Sequence, residues 1–247
     1  MCLTGADTRY TSPTYNPHSL NRRWGLFLSE KKQEIPAAFT AGSDLKSDTA
    51  RNFRENLGFH IQNNLVQIPC LLSATNSLDL AGKPPSHHRQ DNIVGPIILH
   101  DGITDIPTLI DEVGIDIVTL AVLSDVPLHR PRRLELEDLV SQWRWLRQVW
   151  QFFCRTKVDN SHHISSNEAD LITARSANIV REISQARYNI AIADMRAMFQ
   201  GLKKAPDNCN EPDQLQFLYL MRLFCPYIGH ELLYRYGLVE KPDQSES

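Results

Sequence analysis

The sequence contains no glycine-rich loop of the kind that cradles phosphates. Neither G-x-x-x-x-G-K-[ST] nor G-x-G-x-x-G occurs, and only 11 of the 247 residues are glycine. A phosphate site built from backbone N–H groups therefore has no local signature. Long hydrophobic runs are missing too: no stretch reaches the roughly 18 apolar residues that a membrane-spanning helix requires. The five cysteines (Cys2, Cys70, Cys154, Cys209 and Cys225) are odd in number, far apart and never arranged as C-x-x-C. That argues against a disulfide framework and a zinc site, and it fits a reducing compartment. The opening Met-Cys-Leu-Thr-Gly has neither the basic start and apolar core of a secretory signal nor the Arg/Ser-rich start of an organelle presequence, so neither is expected. A basic excess is also lacking. With 26 basic and 29 acidic residues the net charge is −3, which leaves no whole-chain footprint for nucleic acid. What is present is an ordinary globular balance of 42% hydrophobic and 22% charged residues, in a length that suits one large domain or two small ones.

The two halves differ in texture. Residues 1–105 are polar, broken by proline and without a sustained period. Short apolar runs at Trp24–Leu28, Leu65–Leu72 and Val94–Leu99 read as strands bounded by turns. This half is therefore expected to be irregular and partly β, with Leu80–Asn92 as an exposed loop. Residues 106–237 read as helical. Thr108–Glu112 and Ile115–Leu123 predict short helices around Gly114. From about Leu134 to Lys157, the residues Leu139, Trp143, Leu146, Trp150 and Phe153 recur at gaps of 4, 3, 4 and 3, which is one face of a helix. Ser165-Ser166-Asn167-Glu168 is a capping-box pattern. It starts a second long helix that runs to about Lys204 on Ile179, Ile183, Ala186, Ile190, Ala193 and Ala197. A third begins near Asp213 and is apolar nearly all round over Phe217–Phe224. Pro226 kinks it, and Gly237 caps its end. Residues 238–247 form a polar tail. The fold class is mainly α, and three long helices with short turns predict an antiparallel bundle.

His87-His88 and His162-His163 are adjacent pairs without an H-x-x-x-H or C-x-x-C partner, so no metal site is expected. No local signature supports a catalytic triad or an activated cysteine, and no catalytic residue is assigned. Charge, however, is segregated. Residues 171–204 carry six basic residues against two acidic, a net +4, whereas three basic face seven acidic beyond residue 204. Arg144, Arg147, Gln151 and Arg155 are spaced 3, 4 and 4, forming one stripe on the side away from Trp143, Leu146 and Trp150. Lys157 extends it. Arg144, Arg147, Arg155, Lys157, Arg181 and Arg187 are the candidate RNA-binding residues, because such a face neutralises phosphates and releases counterions without reading bases. The competing reading is solvated charge on ordinary amphipathic helices. The tryptophans can be read as stacking platforms, but Trp143 and Trp150 lie on the packing stripe, which favours core, and Trp145 faces elsewhere. His230 and Glu231 read as packing and capping after Pro226.

The order of four segments is more specific than any one of them. Residues 113–127 read V-G-I-D-I-V-T-L-A-V-L-S-D-V-P, residues 143–152 W-R-W-L-R-Q-V-W-Q-F, residues 188–198 Y-N-I-A-I-A-D-M-R-A-M, and residues 223–233 L-F-C-P-Y-I-G-H-E-L-L. In this order, residues 100–237 resemble the C-terminal part of leucyl-tRNA synthetases, most closely the bacterial and mitochondrial type. The resemblance implies the anticodon-binding helical bundle of a class I synthetase, with leucine tRNA as its partner. It makes residues 1–105 a remnant of the catalytic-domain side and implies a mitochondrial location, or a cytoplasmic one otherwise.

The departures bear on catalysis. The family's K-M-S-K-S place reads Gly95-Pro96-Ile97-Ile98-Leu99-His100-Asp101, without lysine. The family's arginine near the first segment is Thr119 here. The H-I-G-H motif, the Rossmann half and the small domain that follows the bundle are absent. ATP and Mg²⁺ belong to the family and are not carried by this chain, which is expected not to aminoacylate alone. Catalysis would fall to a longer synthetase portion or a partner chain. The alternatives are a non-catalytic paralogue kept as an RNA or protein interaction module, and a bundle that only packs within a larger assembly.

Overall fold

The computed structural model describes residues 14–30, 48–68, 71, 94–100, 102–155, 174–204 and 211–239. Among these residues it is mainly helical, with short strands only. Helix α1 (Pro17–Glu30) starts where the Asn16 side chain accepts the N–H groups of His18 and Ser19 at 3.0 and 3.3 Å. Its Leu20, Trp24 and Leu28 are all buried. Helix α2 (Asp48–Leu65) buries Phe53, Leu57, Ile61 and Leu65 in the same way. Apolar residues at every fourth position define a helix face. Trp24–Leu28 is therefore helical rather than a strand, and Leu65 closes a helix. A sparse helical period among polar residues leaves short apolar clusters that imitate strands.

Among the described residues, only the third apolar run contributes a strand. Strand β1 (Ile97–Leu99) pairs in parallel with β2 (Arg132–Leu134), with Ile97 opposite Arg132. Parallel pairing needs a crossover. Helices α3 (Ile106–Val113) and α4 (Ile115–Leu123) supply it. Asp105 caps α3 by accepting the Thr108 N–H at 2.7 Å, and its contacts to Thr108 hold its carboxyl below the usual range. Gly114 divides the two helices with φ +91°, and a Cβ there would meet Pro17 at 2.9 Å. Every residue of α4 is buried.

Helices α5 (Leu136–Arg155), α6 (Ala174–Ser184), α7 (Tyr188–Lys204) and α8 (Glu211–Phe224) follow. The capping box at 165–168 lies outside the described residues. The second long helix of the sequence reading is in fact two, α6 and α7. The Arg187 N–H bonds the Glu182 carbonyl, the Ala186 N–H bonds that of Ile183, and Ala186 sits at φ +55°. These are the bonds of a Schellman motif. The chain then reverses, so that Gly201 of α7 lies beside the Arg175 guanidinium of α6. The break also resets the helical phase. Ile190, Ala193 and Ala197 face outward, while Tyr188, Ala191, Ile192, Met195, Phe199 and Leu202 are buried.

Neighbouring contacts give the helix directions. Gln142, Trp145 and Gln148 of α5 meet Arg196, Phe199 and Lys203 of α7 in that order, so α5 and α7 run the same way. Tyr188 meets Phe224 and Phe199 meets Phe217, so α8 runs oppositely. Past Cys225, helix α9 (Pro226–Arg235) folds back on α8 at Gly229, where a Cβ would fall 2.5 Å from the Arg222 Cα. Gly237 ends α9 at φ +72°, as the sequence reading expects. Residues of α1 and α2, among them Trp24 and Phe53, lie in one hydrophobic cluster with those of α4–α9.

Candidate nucleic-acid interface

Helix α5 turns Leu139, Leu146, Val149, Trp150 and Phe153 inward. Arg144, Arg147 and Arg155 are exposed on the opposite side, with Gln151 half-buried between them. None of these three arginines enters a salt bridge among the described residues. The Arg147 guanidinium lies 5.4 Å over the Trp143 ring, which orients it without neutralising it. The Lys203 ammonium donates to Gln148 Oε1 at 3.1 Å, so the end of α7 joins this face. Lys203 and the exposed Lys204 were not among the candidate residues. Their place depends on α5 and α7 running side by side, which one helix's period does not encode.

The remaining candidates separate. Arg187 Nη2 donates to Glu182 Oε1 at 3.0 Å, with its Nε 2.6 Å from Oε2 as an ion pair, and Arg181 lies 3.8 Å from the same carboxylate. Both stand at the α6–α7 turn, one of the two ends of that hairpin, while Lys203 and Lys204 stand at the other. Lys157 lies outside the described residues.

The tryptophans pack rather than present themselves. Trp150 is buried as expected, but Trp145 is buried as well and Trp143 is the half-buried one. Helix α5 meets α7 along a second edge, where Trp145 contacts Phe199 edge-on at 6.3 Å and carries the Arg196 guanidinium 5.3 Å over its ring. Glu231, buried, accepts the Trp24 indole N–H at 2.9 Å and pairs with Arg23 at 3.3 Å and Arg235 at 3.0 Å. His230 Nδ1 contacts the Pro226 carbonyl at 2.6 Å. These are contacts among buried or half-buried side chains that tie α1 to α9. Asp116, buried in α4, accepts the N–H groups of Tyr227 and Ile228 at 3.2 and 2.8 Å. It caps α9, and burial pushes its carboxyl up to about 7.

Ile97 and Ile98 lie in β1, and Gly95 is pressed against the Arg130 backbone. The Arg54 guanidinium near this stretch is spent on the carbonyls of Gly95 and Arg130, at 3.1 and 2.8 Å. Among the described residues no three His, Cys, Asp or Glu side chains gather as a metal site. The histidine pairs at 87–88 and 162–163 lie outside them.

Comparison with known proteins relates about half of the chain to leucine–tRNA ligases. The leucine–tRNA ligase of Orientia tsutsugamushi (strain Boryong) is 24% identical over 133 residues, 52% of this chain and 15% of the relative. Those of Prochlorococcus marinus strains NATL1A and MIT 9215 are each 24% identical, covering 52% and 56% of this chain and 16% and 17% of their own lengths. The chain thus spans about one sixth of these relatives. No family model matches it.

Proposed function

We propose that residues 106–237 act as a tRNA-holding helical bundle of the leucyl-tRNA synthetase type, built like the anticodon-binding domain of that class. The carrying observation is the outer face of α5, where Arg144, Arg147 and Arg155 are exposed without anionic partners among the described residues and Lys203 of α7 adjoins them. Holding three guanidinium groups together in water costs repulsion, which a polyanion relieves by displacing counterions. Exposed guanidinium and ammonium groups contact phosphate, so the face grips backbone and shape. ATP, Mg²⁺ and the leucine-activating step belong to a nucleotide-binding half outside this chain, and a mitochondrial location follows the same resemblance. Arg181 and Arg187 stand apart from this face, at the α6–α7 turn, where they share the single Glu182 carboxylate and leave a net positive charge.

A second reading, a protein interaction module, rests on Leu136 and Val140, which are 48% and 44% exposed on the same helix. One experiment separates the two. The chain and its Arg144→Glu/Arg147→Glu/Arg155→Glu variant are titrated with leucine tRNA across salt concentrations. The tRNA reading expects the salt slope to fall by about one unit per arginine. An unchanged slope, or equal binding of an unrelated polyanion, overturns it.

A further inference from the structure

A cavity of about 290 Å³ opens between the α6–α7 turn and the loop that follows α4. Leu128 and His129 form one wall, and Gln185, Arg187, Asn189 and Ile190 the other. It lies at the end of the hairpin remote from Lys203 and Lys204. Two features distinguish it from a packing defect. Ile190 is 40% exposed, so an aliphatic side chain is left facing solvent at the opening. Neither the Gln185 nor the Asn189 carboxamide has a hydrogen-bond partner among the described residues, and the same holds for the His129 ring. Arg187, by contrast, is held by its ion pair with Glu182, to which Nη2 donates, and keeps Nη1 for another acceptor.

We infer that this cavity receives one unstacked nucleobase of a bound RNA. The volume is at the small end for ligand pockets and suits a single planar ring. Leu128 and Ile190 supply apolar faces for that ring. Carboxamides present a donor and an acceptor side by side, which matches the edge of a base. Single-stranded loops are where RNA offers such bases, splayed from the stack and read on their edges. Arg187 Nη1, which its contacts with Glu182 leave unused, is available to the ribose-phosphate of the same nucleotide. The assignment rests on the tRNA-holding reading above, but it uses different residues at the opposite end of the hairpin. It adds base recognition to a surface that otherwise grips only backbone.

The test uses the full chain with leucine tRNA and, separately, with each of the four nucleoside 5′-monophosphates. The Ile190 methyl resonance is followed for the mononucleotides. The variants are Gln185→Ala, Asn189→Ala and the cavity-filling Ile190→Trp, the first two being surface changes that leave the fold intact. The cavity assignment expects at least one monophosphate to shift Ile190. It also expects each variant to weaken tRNA binding about tenfold, or 1.4 kcal/mol, with the salt slope unchanged. Binding of tRNA that ignores all three variants overturns the cavity assignment and leaves the tRNA reading standing. Failure of the unaltered chain to bind tRNA removes that reading, and the cavity assignment with it.

Discussion

Asp116 lies where a charge is costly and is held there by two backbone N–H groups. Desolvation raises its carboxyl from 3.8 to about 7, while the N–H groups of Ile228 and Tyr227 act in the opposite sense. Burial therefore outweighs the cap. The unfolded chain releases this proton near pH 4, but the folded chain keeps it until about pH 7. The contribution to stability is thus complete at low pH, declines as pH rises through that window and is level above it. At about 1.4 kcal/mol per unit, the decline amounts to roughly 4 kcal/mol. Asp116→Asn removes it. Urea unfolding of both proteins at pH 4.5, 6 and 7.5 should show the native chain losing stability relative to the variant as pH rises. Parallel curves would contradict the assignment. From the sequence, Asp116 is visible only as a polar letter in an apolar run. Its role depends on α9 arriving more than a hundred residues later, a distance that no local pattern reports. Trp145 illustrates the same limit: the 3–4 period marks one buried face of α5, but α7 covers a second.

Helices were legible where their punctuation is ordinary and hidden where it is not. Two Schellman motifs make the contrast. At the end of α9, the Leu238 N–H bonds the Leu233 carbonyl, the Gly237 N–H bonds that of Tyr234, and glycine holds the positive φ. At the end of α6 the same bonds close around Ala186 at φ +55°. Glycine announces its motif in the sequence. Alanine, a strong helix former, conceals its own, so α6 and α7 read as one helix. An L residue in that conformation costs about 1–2 kcal/mol, partly offset because glycine loosens the unfolded chain. Ala186→Gly should therefore raise the unfolding free energy by about 0.5–1 kcal/mol, and Gly237→Ala should lower it. Urea midpoints at one pH measure both. A loss of stability in Ala186→Gly would show that the turn is held by something other than backbone conformation.

Across the whole molecule, the texture of the sequence changes near residue 105, and the hydrophobic core runs across that boundary. Tyr15, Leu20, Trp24 and Leu28 from α1 and its approach, with Phe53, Leu57 and Ile61 from α2, belong to the same buried cluster as the later helices. The Trp24 indole is bonded to Glu231, and the fully buried Arg54 holds the carbonyls around Gly95 and Arg130. These seven side chains correspond, at about 1.5–3 kcal/mol each, to roughly 10–20 kcal/mol of burial. That matches or exceeds the whole net stability of a typical domain, about 5–15 kcal/mol. Glu231 would also lose Arg23 and Trp24, which leaves a buried carboxylate with Arg235 alone. A fragment beginning at residue 106 is therefore expected to keep much of its helical circular dichroism but lose cooperative thermal unfolding and bind a hydrophobic dye. A cooperative transition near that of the full chain would show that the first two helices merely decorate an independent bundle. In that case the basic face of α5 would be a property of the bundle alone. If the fragment fails to fold, any tRNA grip by that face depends on polar, proline-broken sequence whose helices announce themselves only through residues four apart.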